Sequence, residues 1–185
     1  MPRWPTDSRA RLQAAAIELY LEQGYDQSTV AAIVQRAGLT ERTFYRHFGD
    51  KREVLFAGES ELTKALVAAV EAAGEEANTR ERARAGLAAI VDALEPRREE
   101  LARRQPIIEA HPELRERELM KLDGWTAALA EALRRSGDDP ATAAITAEVS
   151  IAVLRVAALR WLVADHGPLA DELAAAFIEL PAIAG

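Results

Sequence analysis

The sequence predicts an all-α fold, and three observations carry that expectation. Apolar residues recur at spacings of three and four along most of the chain, strand-like alternation is almost absent, and the breaks between apolar stripes hold helix stop and start residues. Such breaks fall at Gly24, at Gly38-Leu39-Thr40, at 74–78 and at 136–140. With 185 residues, 49% apolar and 29% charged, the chain can bury a real core as one large or two small domains, and its composition is globular rather than disordered. The absence of cysteine excludes disulfides, thiolate metal sites and a cysteine nucleophile.

Taken in order, residues 1–6 read as a loose arm. Thr6 or Asp7 caps a first helix with Leu12, Ala16, Leu19 and Tyr20 on one face, ending at Gly24; this helix is a scaffold from which only Arg3, Arg9 or Arg11 is placed to reach phosphate. A second helix opens at Ser28 or Thr29, its N-terminal N–H groups a natural phosphate seat, and carries Val30, Ile33, Val34 and Ala37 inward. Gly38 supplies the left-handed position that ends it, and Thr40 caps a third helix with Phe44 and Phe48 inward. Outward on that third helix stand Glu41, Arg42, Thr43, Tyr45, Arg46 and His47. Two short helices across a glycine turn, the second polar outside, form a helix-turn-helix signature, and the polar face suits a DNA major groove.

This stretch, from about Arg9 to Leu55, resembles the N-terminal DNA-binding domain of the TetR (tetracycline-repressor-like) family of bacterial regulators. The resemblance rests on Gly24-Tyr25, Ser28-Thr29-Val30, Ala37-Gly38-Leu39-Thr40, Thr43-Phe44-Tyr45-Arg46-His47-Phe48 and Lys51, in order and at this spacing. It implies that Glu41, Arg42, Thr43 and Arg46 face base edges, while Thr29, Tyr45, His47 and Lys51 grip phosphates. The chemistry agrees: arginine is the commonest reader of guanine, and hydroxyl, imidazole and ammonium groups make good positioning contacts. Ala31 stands where some relatives carry a polar base-reading residue, so that contact is missing.

Beyond the head, an amphipathic helix is expected from Lys51 to about Glu71, carrying Val54, Leu55, Leu62, Leu66 and Val70 and linking the two halves mechanically. The next runs from about Thr79 through Ala83, Leu87, Ile90, Val91 and Leu94 and ends before Pro96. Another starts near Arg97 and must stop or kink at Pro106, with Arg103 and Arg104 on a solvated face. After His111, a turn residue, and Pro112, a helix holds Leu114, Leu119, Leu122, Trp125, Leu129 and Leu133. A strong start at Asp138-Asp139-Pro140 opens a helix with an unusually wide apolar arc, and a last helix runs from Pro168 to about Leu180. These two are placed to pair with their symmetry mates as a four-helix bundle, the usual dimer interface of the family, or else to form internal core. The expected division is a DNA-binding domain at 1–52 and a helical regulatory and dimerisation domain at 53–185.

Charge follows that division. Residues 1–55 hold eight Lys or Arg against seven Asp or Glu, and the rest hold fifteen against twenty-three, so a net −7 is concentrated outside the head. Acid placed there lowers non-specific phosphate affinity without blocking docking.

Candidate ligand residues are fewer. Arg155 stands inside the apolar run from Ile151 to Val163, where it anchors an anionic head, pairs with Glu148 or a partner-subunit acid, or lies at a solvated edge. Trp125, Trp161 and Phe177 either line a pocket or belong to the core. The second half also resembles the regulatory domain of a TetR sub-group common in actinobacteria, some members of which respond to acyl-CoA thioesters. No cofactor or metal is expected. None of the three histidines, His47, His111 and His166, has a Glu three residues before it, and no zinc-protease, nucleophile-elbow or phosphate-loop motif occurs. The first twenty residues lack a signal-peptide core, and no uninterrupted apolar run approaches eighteen residues. The expectation is a cytoplasmic, homodimeric repressor that binds a double-stranded palindromic operator and answers to a small-molecule effector, without membrane attachment. The alternative is a helical module for protein association alone.

Overall fold

The computed structural model of the chain describes residues 7–164 and 167–184, among which there are nine α-helices, two short 3-10 turns and no strands. The described residues divide into two compact units. One holds the residues up to Gly58 together with Glu99–Glu118; the other holds Glu59–Arg98 and the residues from Leu119 onward.

The first unit is built on α1 (Ser8–Gln23), α2 (Val30–Ala37) and α3 (Glu41–His47), followed by a 3-10 turn at Glu53–Phe56. Each helix begins where side-chain chemistry dictates. Asp7 accepts from the N–H of Arg9 and Ala10, Thr29 from Ala32, and Thr40 from Thr43. Gly38, at φ 63° and ψ 40°, lets the chain reverse after α2 while Leu39 N–H returns to the Val34 carbonyl. Leu12, Ile33, Phe44 and Leu55 form a core with Ile108 and Leu114, every one of them fully buried. Those last two come from α6 (Arg98–Ala110) and the first turns of α7 (Pro112–Arg135), so the head is completed by residues far along the chain.

Two expectations are corrected here, and a third, at Pro106, is narrowed. The helix expected from Lys51 begins at Glu59: residues 51–58 instead form a tight connector, closed by Gly58 at φ 92°. Asp50 stabilises this connector by accepting from the N–H groups of Arg52 (2.7 Å) and Glu53 (3.2 Å). Pro106 does not end α6, which continues to Ala110; its ring lies on the exposed side, where water can serve the carbonyl that loses its donor. Arg104, expected on a solvated face, is buried: its guanidinium donates to the Leu55 carbonyl (2.9 Å) and pairs with Glu118 (3.0 Å) over the Phe56 ring.

The second unit comprises α4 (Glu59–Ala72), α5 (Thr79–Leu94), residues 119–135 of α7, α8 (Pro140–Val163) and α9 (Leu169–Ala184). α4 and α5 approach so closely that a Cβ on Gly86 would lie 2.9 Å from Val70 Cγ2. The capping box of Asn78 and Glu81 opens α5, and one turn in, Arg82 is buried against Asp138 at 3.0 Å while donating to the Gly74 and Glu75 carbonyls. Both loops at that end of the unit are thereby held by one guanidinium. At the other end of α8, Arg98 donates to the Trp161 and Ala164 carbonyls and lies over the Trp161 ring, a cation seated on a helix C-terminus.

α8 buries Ala143, Ala147, Ser150, Ile151, Val153, Leu154, Ala157 and Trp161. Its other side leaves Ile145, Val156, Leu159 and Val163 exposed, and α9 exposes Ile178. Arg155 is exposed on that side too, as the solvated-edge alternative for it has it.

Candidate nucleic-acid interface

α3 is only seven residues long, too short to be stable alone, and it is held by its apolar side. Phe44 is fully buried and Phe48 nearly so, their ring centroids 5.5 Å apart. With both anchored, Glu41, Arg42, Tyr45 and Arg46 stand exposed and Thr43 and His47 half-exposed, so the polar set shares the outer face of one rigid turn pair. Tyr45 is 57% exposed although its ring meets Phe44 edge-on. Thr43 is tied to the Thr40 hydroxyl at 3.1 Å.

His47 is less free than its sequence position suggests. Its Nε2 lies 2.8 Å from the Ser8 hydroxyl and 3.3 Å from an Arg46 guanidinium nitrogen. Guanidinium only donates, so in the contact with Arg46 it is Nε2 that accepts. Ser8 had no signal in the sequence beyond its place in the first turn of α1, yet it orients this ring against α3.

Lys51 is the most heavily engaged of the expected phosphate residues. Its ammonium donates to the carbonyls of Tyr25 (2.9 Å), Asp26 (3.3 Å) and Ser28 (3.2 Å) and lies 4.2 Å from the centre of the Tyr25 ring. It therefore braces the loop that delivers Thr29 to the start of α2. Tyr20 donates to the Lys51 carbonyl at 2.7 Å, closing the brace. Burial pushes the Tyr25 phenol up to about 12, and moves Tyr20 upward as well, so both stay neutral hydrogen-bonding groups.

Arg11 is similarly occupied, donating to the Ala37 carbonyl at the end of α2 at 2.5 Å. Arg36 bridges back to Glu22 (2.6 Å) and Glu18 (3.5 Å) on α1. These arginines fix α2 to α1, while Arg42 and Arg46 remain on the outer face; Arg3 lies outside the described residues. Of the expected ligand residues, Trp125 and Trp161 are buried, Phe177 is half-buried and Arg155 is exposed.

A capped pair of short helices across a left-handed glycine, presenting arginine, threonine and tyrosine from a rigid apolar base, defines a helix-turn-helix DNA-binding protein. Residues 12–57 match the model of the bacterial regulatory proteins, tetR family. The HTH-type transcriptional regulator TcmR of Streptomyces glaucescens is 41% identical over 64 residues, 35% of this chain and 28% of that protein. The HTH-type transcriptional activator FasR of Mycolicibacterium smegmatis is 33% identical over 95 residues, 50% of this chain and 43% of that one. These matched segments thus span less than half of either relative. The fold extends further: the FadR regulator of Bacillus subtilis, solved with stearoyl-CoA, superposes with a TM-score of 0.62 at 20% identity, covering 92% of this chain and 96% of that one. Residues 12–57 thus carry the helix-turn-helix domain of the tetR family, and the rest of the chain shares its fold with solved regulators.

Proposed function

We propose that the chain is a homodimeric, effector-responsive repressor acting in the cytoplasm on a palindromic operator. The observation that carries the DNA-reading half is the outer face of α3. Glu41, Arg42, Thr43 and Arg46 read base edges, and Tyr45, His47 and Thr29 position the phosphates. Lys51 reaches phosphate only by giving up carbonyl contacts, so its main contribution is to hold the loop before α2.

The dimer reading is supported by the exposed apolar side of α8. By length and mean hydropathy, 1.7 over its most apolar stretch, α8 is the one described helix that would pass for a membrane span. Glu148 and Arg155 are nevertheless exposed among its apolar residues. They lie seven residues apart, two turns along one face, and two copies crossing antiparallel bring each Glu148 to the other's Arg155. A protein partner of identical sequence satisfies that pattern, and lipid does not.

Functionally, the reading head is 1–52 and the regulatory part 53–185. The connector at 51–58, whose Leu55 carbonyl accepts from Arg104, lies between the reading helix and α4 in sequence and supplies the link through which effector binding resets the spacing of the two heads. The effector must bind the two spacings unequally. Footprinting on genomic DNA tests the proposal. Protection of two symmetric half-sites about one helical turn apart, or a multiple of it, supports the reading, and protection of a single asymmetric site contradicts it. A reporter driven from that site fixes the sign: derepression on deleting the gene is expected, whereas loss of expression makes the protein an activator.

A further inference from the structure

Ser8 and His47 stand 39 residues apart in the chain, and their side chains meet at 2.8 Å. Core residues about one turn away anchor both ends of that contact. Ser8 opens α1 four residues before Leu12, and His47 closes α3 three residues after Phe44; Leu12 and Phe44 are fully buried. The scaffold helix therefore touches both helices of the reading pair. Its Arg11 donates to the carbonyl of Ala37, the last residue of α2, and its Ser8 meets the side chain of the last residue of α3.

The Nε2 that meets Ser8 also accepts from Arg46 at 3.3 Å. One imidazole nitrogen thus joins a hydroxyl of α1 to a guanidinium of α3. A guanidinium carries five N–H groups and uses two on a guanine, so Arg46 can read a base edge and keep its His47 contact at once. What the contact supplies is direction. Arg46 is exposed on a long stem, and a stem already held in one rotamer loses less freedom on binding and meets fewer wrong bases. His47 directs Arg46 as well as its own ring is held, and Ser8 supplies the hydrogen bond that reaches that ring from outside α3. We propose that Ser8 is a positioning residue for base reading: it sets the His47 ring, the ring sets Arg46, and the base pair under Arg46 is discriminated less when this relay is cut. Ser8 itself touches no base, and His47 keeps its Nδ1 edge for phosphate. The inference rests on α3 being the DNA reader and adds to it a specificity-determining residue on α1.

The test reads sequence preference rather than affinity alone. The full chain is selected at fixed salt against a library that randomises, pair by pair, the operator the parent enriches, and thermal melts accompany every variant. Arg46→Ala marks the base pair that Arg46 reads as the one whose preference it loses. Ser8→Ala is expected to relax preference at that same pair by about threefold to tenfold, the worth of one neutral hydrogen bond, and to leave the other pairs and non-specific DNA affinity unchanged. Combined with His47→Ala, it should add nothing to the effect of His47→Ala alone. Ser8→Thr keeps the hydroxyl and should keep the preference; Ser8→Val has the same shape without the hydroxyl and should lose it. That second pair carries the comparison if Ser8→Ala fails to fold. The inference is overturned if Ser8→Ala retains the parent's preference at the marked pair, if it weakens all DNA sequences equally as a direct phosphate contact would, or if its effect persists undiminished beside His47→Ala. A folded parent that enriches no operator, or an Arg46→Ala that relaxes no base pair, would instead overturn the reading of α3 beneath it.

Discussion

α3 and α8 are both held by an apolar face, and they differ in what the other face shows. α3 packs Phe44 inward and leaves arginine, tyrosine and glutamate outside; α8 packs Ile151, Leu154 and Trp161 inward and leaves Ile145, Val156, Leu159 and Val163 outside. A face whose hydrogen-bonding groups stay wet suits a hydrated, charged partner, and an exposed apolar face suits a partner that excludes water. Burial accounts for both helices; exposure separates their functions.

The sharpest way to break that comparison is to remove the inward face of the shorter helix. Phe44→Ala empties the centre of the head, at a cost of about 3–5 kcal/mol. Calorimetry should show the head melting far below the parent or not folding, with DNA binding lost. On α8, the outward face is the one to attack. Leu159→Glu should convert the proposed dimer to monomer in multi-angle light scattering while leaving helix content unchanged, since Leu159 is already partly exposed. Operator affinity should fall by an order of magnitude or more, roughly the avidity lost with the second head.

A smaller effect sits between α4 and α5. Gly86→Ala gains helix propensity yet forces a methyl to 2.9 Å from Val70 Cγ2, and about 1–3 kcal/mol of overpacking should outweigh the gain in a denaturant melt. Gly86→Ala combined with Val70→Ala should recover part of the loss.

The smallest effect is a pH dependence at the connector. Burial tends to raise the Asp50 carboxyl, but its hydrogen bonds with the Arg52 side chain and with the Glu53 and Arg52 N–H groups prevail and lower it. A carboxylate lowered in the folded state stabilises the fold at pH above its unfolded value, about 3.9, and that contribution fades as pH falls through the folded value. Asp50→Asn should therefore melt slightly below the parent at pH 7, with the gap closing toward pH 3 as roughly expected for one exposed carboxylate.

The head was legible in sequence because its signals are local. A glycine at φ 63° and capping threonines at 29 and 40 act within four residues of where they stand, and the structure places each as its chemistry demands. What escaped was long-range or geometric. The family position of Lys51 implies a phosphate grip, and its bonds to three carbonyls some two dozen residues earlier have no sequence signature. Local sequence puts Arg104 with Arg103 on a solvated face, because nothing local says that it meets the Leu55 carbonyl 49 residues away. On α8 the wide arc announced partners on more than one side, but periodicity alone did not say which stripe the chain itself covers. Arg155 belonged to the uncovered one.

The central claim is that the outer face of α3 reads DNA sequence. Selection from a genomic fragment library at physiological salt, with the parent and Arg46→Glu in parallel, tests it most directly, because at low salt phosphate attraction alone would retain fragments. The account predicts that the parent enriches a palindromic site and that Arg46→Glu, equally folded and equally dimeric, enriches none. Enrichment of the same site by both proteins, or of no site by a folded parent whose denatured extract carries no bound small molecule by mass spectrometry, would contradict it.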